Sequence, residues 1–177
     1  MAKITIFGLA GTGKSTAAKM LVEKLGYEYI STGNIFRGYA KELGLTLNEF
    51  EVVADKTDEY DKRLDNETEK FGKEKDNFVF ESRLAWHFIP DSFKIKLDCN
   101  FDTRIQRVVN REQKSFEQVK AETIHREDLI TKRYAQYYNI QDFSNDNNFD
   151  FVVDTEKNNA EQVVEIILTE LKIKEII

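Results

Sequence analysis

Residues Gly8-Leu9-Ala10-Gly11-Thr12-Gly13-Lys14-Ser15-Thr16 carry the clearest chemical pattern in this 177-residue chain. They read G-x-x-x-x-G-K-S and follow directly on the apolar run Ile4-Thr5-Ile6-Phe7. Gly8, Gly11 and Gly13 admit backbone angles closed to other residues, so the chain can curl around an anion and turn its N–H groups inward. A helix beginning at Lys14 aims its positive end at the same point. Lys14 is placed to reach the β- and γ-phosphates of a nucleotide, and the Ser15 hydroxyl to ligate Mg²⁺. The strand before and the helix after are the context that this phosphate-binding loop, the P-loop, requires.

Three further groups of residues fit chemistry on a bound phosphate. Arg104, Arg107 and Arg111 are spaced i, i+3, i+7, and Arg126 and Arg133 are seven apart; on helices each set forms a stripe. Phosphoryl transfer needs fixed cations around the moving group, and arginine supplies a planar fork that stays charged. The alternative is a solvated helix face with ion pairs to Glu112, Glu122, Glu127 and Asp128. The second group is Ser31-Thr32-Gly33-Asn34-Ile35-Phe36-Arg37. Here Ser31 or Thr32 caps a helix, and hydroxyl, helix N-terminus and guanidinium together form a monophosphate receptor. At the end of Phe78-Val79-Phe80-Glu81-Ser82-Arg83, Glu81 is a candidate partner of Mg²⁺-bound water and Arg83 a candidate acceptor-phosphate ligand. Asp61 and Asp65 either read an acceptor base or sugar, or lie in solvent.

These groups need a scaffold, and the apolar pattern supplies one. Strands are predicted at Lys3 to Phe7, Tyr27 to Ile30, Phe78 to Glu81, Lys94 to Leu97 and Phe149 to Val153, alternating with helices. The first helix is predicted over Lys14 to Leu25, closed by Gly26, and the last over Ala160 to Leu171. The expected fold is therefore α/β: a P-loop NTPase three-layer sandwich on a five-stranded parallel sheet. The stretches between the second and third strands, and between the fourth and fifth, are too long for simple crossovers and read as helical insertions. Gly33, Gly38, Gly44 and Gly72 are candidate hinges of the first insertion.

Composition excludes several classes. Hydrophobic residues at 41% and charged residues at 33% are an ordinary globular balance for a single domain over 1–177. No apolar run approaches the roughly 20 residues of a membrane span, and the first strand leaves no room for a signal peptide. The lone Cys99 excludes an internal disulfide framework or cysteine zinc site and is expected to be inert core; a reducing cytoplasm is the expected compartment. A net charge of −6 argues against nucleic-acid polymers as partners and for small nucleotides held by local arginines. Trp86, Tyr134, Tyr137 and Tyr138 are expected to pack rather than to stack on a base.

Taken together, the ordered set resembles the nucleoside monophosphate kinases, and most closely the short, archaeal-type cytidylate kinases, over nearly the whole chain. The pieces that carry the resemblance are Gly8 to Thr16, Leu25-Gly26-Tyr27, Ser31 to Arg37, Glu49-Phe50, Glu81-Ser82-Arg83-Leu84-Ala85, Arg104 to Glu112, Arg126-Glu127, Arg133-Tyr134 and Phe149 to Thr155. The resemblance implies transfer of the γ-phosphate of MgATP to CMP or dCMP, giving ADP and the diphosphate, by a monomer. An adenylate kinase-like or other monophosphate kinase is the alternative within the class. A nucleotide switch and a small-metabolite kinase lie outside it. It further implies a core of 1–31, 76–109 and 134–177, an acceptor-binding insertion at 32–75 and a lid at 110–133. Gly8 to Thr16 would hold ATP, Ser15 and Glu81 would serve Mg²⁺, and Thr32, Arg37 and Arg83 would hold the acceptor. Lys14, Arg107, Arg111, Arg126 and Arg133 would surround the transferring group, with Asp128 orienting one of the arginines. Two positions depart from family patterns: Leu84, where bacterial-type relatives carry an aspartate that reads cytosine, and Ala85-Trp86, where short relatives insert a glycine.

Overall fold

A computed structural model describes residues 1–54 and 56–177. Five parallel strands form one sheet: β1 (Lys3–Phe7), β2 (Glu28–Ser31), β3 (Phe78–Glu81), β4 (Phe93–Asp98) and β5 (Phe151–Asp154). Their spatial order is β2-β3-β1-β4-β5, so β1 is central. Each strand lies within two residues of its predicted position.

The sheet is covered on both faces, which is why its inner strands read as continuous apolar runs rather than alternating ones. Ile4 and Ile6 of β1, Val79 of β3 and Ile95 of β4 share one cluster with α1 (Lys14–Leu25) and α8 (Ala160–Ile173). Phe78 and Phe80 point the other way, into a cluster with Ala85, Ile89 and Phe71. The period-2 alternation within β3 thus feeds two different layers.

The first predicted insertion holds α2 (Thr32–Glu42), α3 (Leu47–Ala54) and α4 (Glu59–Glu74), apart from Asp55, which lies outside the described residues. It has an aromatic cluster of its own, in which Phe50 is fully buried against Phe36, Tyr39 and Tyr60. The second consists of α6 (Phe101–Glu112) and α7 (Phe116–Tyr138), following a single-turn α5 (Ala85–Phe88). Asn100 caps α6 and Ser115 caps α7, each by accepting a backbone N–H three residues on. α7 runs unbroken for 23 residues, so the expected lid boundary at 133/134 falls inside a continuous helix.

Gly72 is not placed as a hinge. It is buried within α4, and a Cβ there would lie 2.7 Å from Ile89 Cγ1 and 2.9 Å from Cγ2. Ile89 is itself 1% exposed and has nowhere to move, so glycine is required by the close approach of α4 to the end of α5. Gly72→Ala should gain about 1 kcal/mol of helix propensity and lose about 1–3 kcal/mol to overpacking. Chemical denaturation should show a net loss of stability.

Candidate functional site

The loop after β1 is built as its glycines require. Gly11 takes φ 85° and Gly13 φ 83°. A Cβ at Gly11 would fall 2.3 Å from the Arg104 carbonyl oxygen, so the loop lies directly against α6. No side chain caps α1, whose first turn opens at Gly13. The first-turn N–H groups therefore have no side-chain partner from the cap position, an arrangement suited to an anion.

Carbonyl oxygens on the outside of the loop are held in turn. Thr12 Oγ1 donates to the Leu9 carbonyl at 2.9 Å. Arg104 Nη1 donates to Ala10 O at 3.1 Å and to Glu127 Oε1 at 2.8 Å. Arg107 Nη1 reaches Gly11 O at 3.3 Å and Thr155 Oγ1 at 3.2 Å, while Nη2 donates to Thr155 O at 2.6 Å. The arginine stripe on α6 therefore winds from the core outward. Arg104 is 5% exposed and braces the loop, Arg107 ties it to the end of β5, and Arg111 is exposed and pairs with Glu112 at 2.8 Å.

Strand register places Ile6, Glu81 and Ser31 side by side at the carboxyl ends of β1, β3 and β2. Ligands of open α/β sheets bind at this edge. Glu81 Oε1 accepts from Ser15 Oγ at 2.6 Å and Lys14 Nζ at 3.1 Å, and Oε2 accepts from the Tyr29 hydroxyl at 2.5 Å. Burial favours a protonated Glu81, but the Lys14 charge and the hydrogen bonds from Ser15, Tyr29 and Lys14 outweigh it and hold the carboxyl below its ordinary range. Burial pushes the Lys14 pKa down; Glu81 opposes this, and the charges of Arg83 and Arg111 add to it. Lys14 thus sits between the Glu81 carboxylate and the charges of Arg83 and Arg111.

Next to Glu81, at the end of β2, lies the second candidate receptor. Ser31 is the N-cap of α2 but makes no side-chain cap hydrogen bond, and Thr32 does not cap either: its Oγ1 is buried with no partner among the described residues. The expectation of a capping hydroxyl is corrected accordingly, and an orphaned buried hydroxyl at a helix N-terminus makes Thr32 a candidate ligand contact. A Cβ on Gly33 would lie 3.7 Å from Arg37 Nη2, which places that guanidinium over the same first turn; Nη2 also donates to Asn34 Oδ1 at 2.5 Å. Arg83 is positioned by a turn in which Ser82 Oγ accepts from the N–H groups of Leu84 and Ala85. Trp86 Nε1 donates to the Arg83 carbonyl at 3.1 Å, and the ring packs edge-on to Phe149, consistent with its expected packing role.

Arg126 and Arg133 both lie on α7, with Arg126 exposed. Arg133 Nη1 donates to Asp61 Oδ2 at 3.2 Å, and Tyr138 donates its hydroxyl hydrogen to Asp65. The two aspartates of α4 are therefore bonded to α7 rather than solvated. Asp128 does not orient an arginine among the described contacts; it pairs with Lys132 at 2.6 Å, and Glu127 takes the role through Arg104. Beside the loop is a cavity of about 250 Å³, lined by Gly13, Thr16, Arg107, Arg111, Asn158 and Val163 among others.

Sequence reasoning missed Tyr29, the bracing role of Arg104, and Thr155 with Asn158. Tyr29 lies two residues before Ser31 on the same strand face, but nothing in its residue type signals a carboxylate partner.

A central strand feeding a glycine-rich loop, with a carboxylate at the end of its neighbour and arginines on two helical insertions, defines the class of P-loop kinases. A shikimate kinase from Acinetobacter baumannii, solved in complex with shikimate, shares this fold with a TM-score of 0.63 at 14% identity, over 98% of this chain and 94% of that one. The sequence matches the cytidylate kinase-like family over residues 3–157. The cytidylate kinase of Methanobrevibacter smithii is 39% identical over 170 residues, covering 96% of this chain and 98% of that protein. That of Haloarcula marismortui is 40% identical over 167 residues, covering 93% and 86%. The chain belongs to the cytidylate kinase-like family.

The α4–α7 contact has a measurable signature. Burial raises the Asp65 pKa from 3.8 to about 6; the Tyr138 hydrogen bond lowers it, and Asp61 raises it further. The folded state then holds its Asp65 proton more tightly than the unfolded chain, so the contribution of Asp65 to stability is fully present below about pH 4, is lost as pH rises to about 6 and is constant above. Asp65→Asn lacks this loss. Its stability relative to wild type should climb across that window and then level off in denaturation series at fixed pH; parallel curves would refute the assignment.

Proposed function

We propose that this chain transfers the γ-phosphoryl group of ATP, with Mg²⁺, to cytidine monophosphate or its deoxy form, giving ADP and the diphosphate. The reading is supported by family membership and by relatives named cytidylate kinase that match over nearly the full chain. The observation that supports it most is the level register of Ile6, Glu81 and Ser31, which brings the glycine-rich loop and the N-terminus of α2 to one edge of the sheet beside a buried carboxylate.

In this reading Gly8 to Thr16 wrap the triphosphate, and the cavity beside Arg107 and Asn158 receives the donor's base and ribose. Thr32, Arg37 and Arg83 hold the acceptor phosphate. Lys14, Arg107, Arg111, Arg126 and Arg133 spread cationic charge around the point of transfer. Arg107 acts partly through the loop it ties down. The donor set fits Mg²⁺: one ionised buried carboxylate and one hydroxyl, with no group of three or more His, Cys, Asp or Glu placed to hold a metal among the described residues. Mg²⁺ at nucleotide sites is held largely by phosphates and water, so a sparse protein contribution is what such an ion needs. When bound, it neutralises charge between the β- and γ-phosphates.

The acceptor phosphate is already ionised near neutral pH, its second pKa being about 6, so no general base is required. The protein's task is alignment and the cancellation of repulsion between two anions. Closure of the 32–75 insertion and the 110–133 lid over both substrates would exclude water. No helix among the described residues is long and apolar enough to cross a membrane, and a cytoplasmic monomer acting on free nucleotides belongs to the same reading.

A coupled assay with MgATP and CMP, dCMP, UMP, AMP and GMP tests this. CMP or dCMP should be the fastest acceptor. A preference for AMP would transfer the reading to the adenylate kinase-like alternative, and absence of any diphosphate product would overturn it. Arg126→Ala and Arg133→Ala should each lower kcat by about a hundredfold or more with the fold intact, the cost of one well-placed transition-state donor. Wild-type turnover in either variant would remove that arginine from the site.

A further inference from the structure

Glu81 is 6% exposed, and its donors come from two elements. Ser15 and Lys14, from the first turn of α1, share Oε1, while Tyr29 of β2 holds Oε2. These donors differ in what nucleotide binding asks of them. In the proposed function, on which this inference rests, Lys14 turns to the phosphates and Ser15 to the metal. Each must then weaken its bond to Oε1. A buried carboxylate stripped of donors rotates toward new ones or takes up a proton.

Tyr29 is not asked to turn to the donor phosphates or the metal, although its hydroxyl oxygen also takes a hydrogen bond from Ser31 at the start of α2. Register pairs Tyr29 with Val79 and Ser31 with Glu81, so the ring lies two residues back on the neighbouring strand and its hydroxyl reaches forward to the carboxylate. A phenolic hydroxyl donates one hydrogen, and here Glu81 Oε2 receives it.

We infer that Tyr29 is a positioning residue for metal–nucleotide binding: its hydroxyl fixes Oε2 of Glu81, so that Oε1 stays turned toward the loop when Lys14 and Ser15 engage the ligand. The strand thereby supplies a fixed anchor for a group whose other partners are shared with the substrate.

The test follows ADP binding by calorimetry while Mg²⁺ is titrated, using wild type, Tyr29→Phe, Glu81→Gln and the double variant. Tyr29→Phe should raise the Mg²⁺ concentration at half-effect by about tenfold, the scale of one charge-assisted hydrogen bond. ADP binding without metal should be unchanged, and the melting temperature nearly so. In the Glu81→Gln background, Tyr29→Phe should add nothing, since the hydroxyl acts through that carboxylate. An unchanged Mg²⁺ titration, an equal loss of metal-free ADP binding or additive effects in the double variant would overturn the inference. So would a Tyr29→Phe protein that fails to fold, which would make the hydroxyl structural. The CMP assay on the same wild-type preparation is independent: if no diphosphate forms there, the acceptor assignment falls while the Mg²⁺ titration still decides on Tyr29.

Discussion

A carboxylate withdrawn from water must be matched by donors, and Glu81 is matched by a lysine, a serine and a tyrosine. That requirement organises the rest of the site. The donors arrive from α1 and β2, so both elements must end level with β3. Only a parallel sheet with β1 beside β3 and β3 beside β2 delivers this. The same order brings the N-terminus of α1 and the N-terminus of α2 to one edge, each without a side-chain cap. The two proposed anion receptors and the carboxylate between them would thus be consequences of one topology.

The arginines show how burial divides one residue type into different tasks. Arg104, almost fully enclosed, must find acceptors inside the protein and does so in Ala10 O and Glu127. Removing it would strand Glu127 and release the loop. Arg107 is intermediate and grips backbone oxygens at Gly11 and Thr155. Arg111, in solvent, pairs with its neighbour Glu112, which gives little stability there. A stripe that looks uniform in the sequence is a gradient from bracing to availability.

The fold was legible because its signals are local. Apolar runs, the glycine-rich loop and Gly26 at φ 68° each specify their own element. The loop, the arginines and Glu81 were legible because their residue types are rare in that order. Tyr29 was not, because its function lies in a partner fifty-two positions away and its residue type is common in strands. Asp61 and Asp65 were ambiguous for the same reason: on α4 alone they look solvated, and only the crossing of α7 gives them Arg133 and Tyr138. Gly72 looked like a hinge because sequence shows its missing side chain and hides Ile89, which occupies the space.

The chain carries a net charge of −6, yet the proposed function has it gather polyanions. Pairing reconciles the two. Lys14 rests on Glu81, Arg104 on Glu127, Arg111 on Glu112 and Arg133 on Asp61. Carboxylates keep these long side chains ordered near the cleft, which reduces the conformational entropy lost when a ligand arrives. They also set a threshold, because an incoming phosphate has to displace a carboxylate rather than fill an empty cationic bowl. A single phosphate on a polymer backbone offers one exchange. In the proposed reading, two nucleotides aligned across Glu81 would offer several at once, a difference by which an acidic protein would favour small paired phosphates over a polymer.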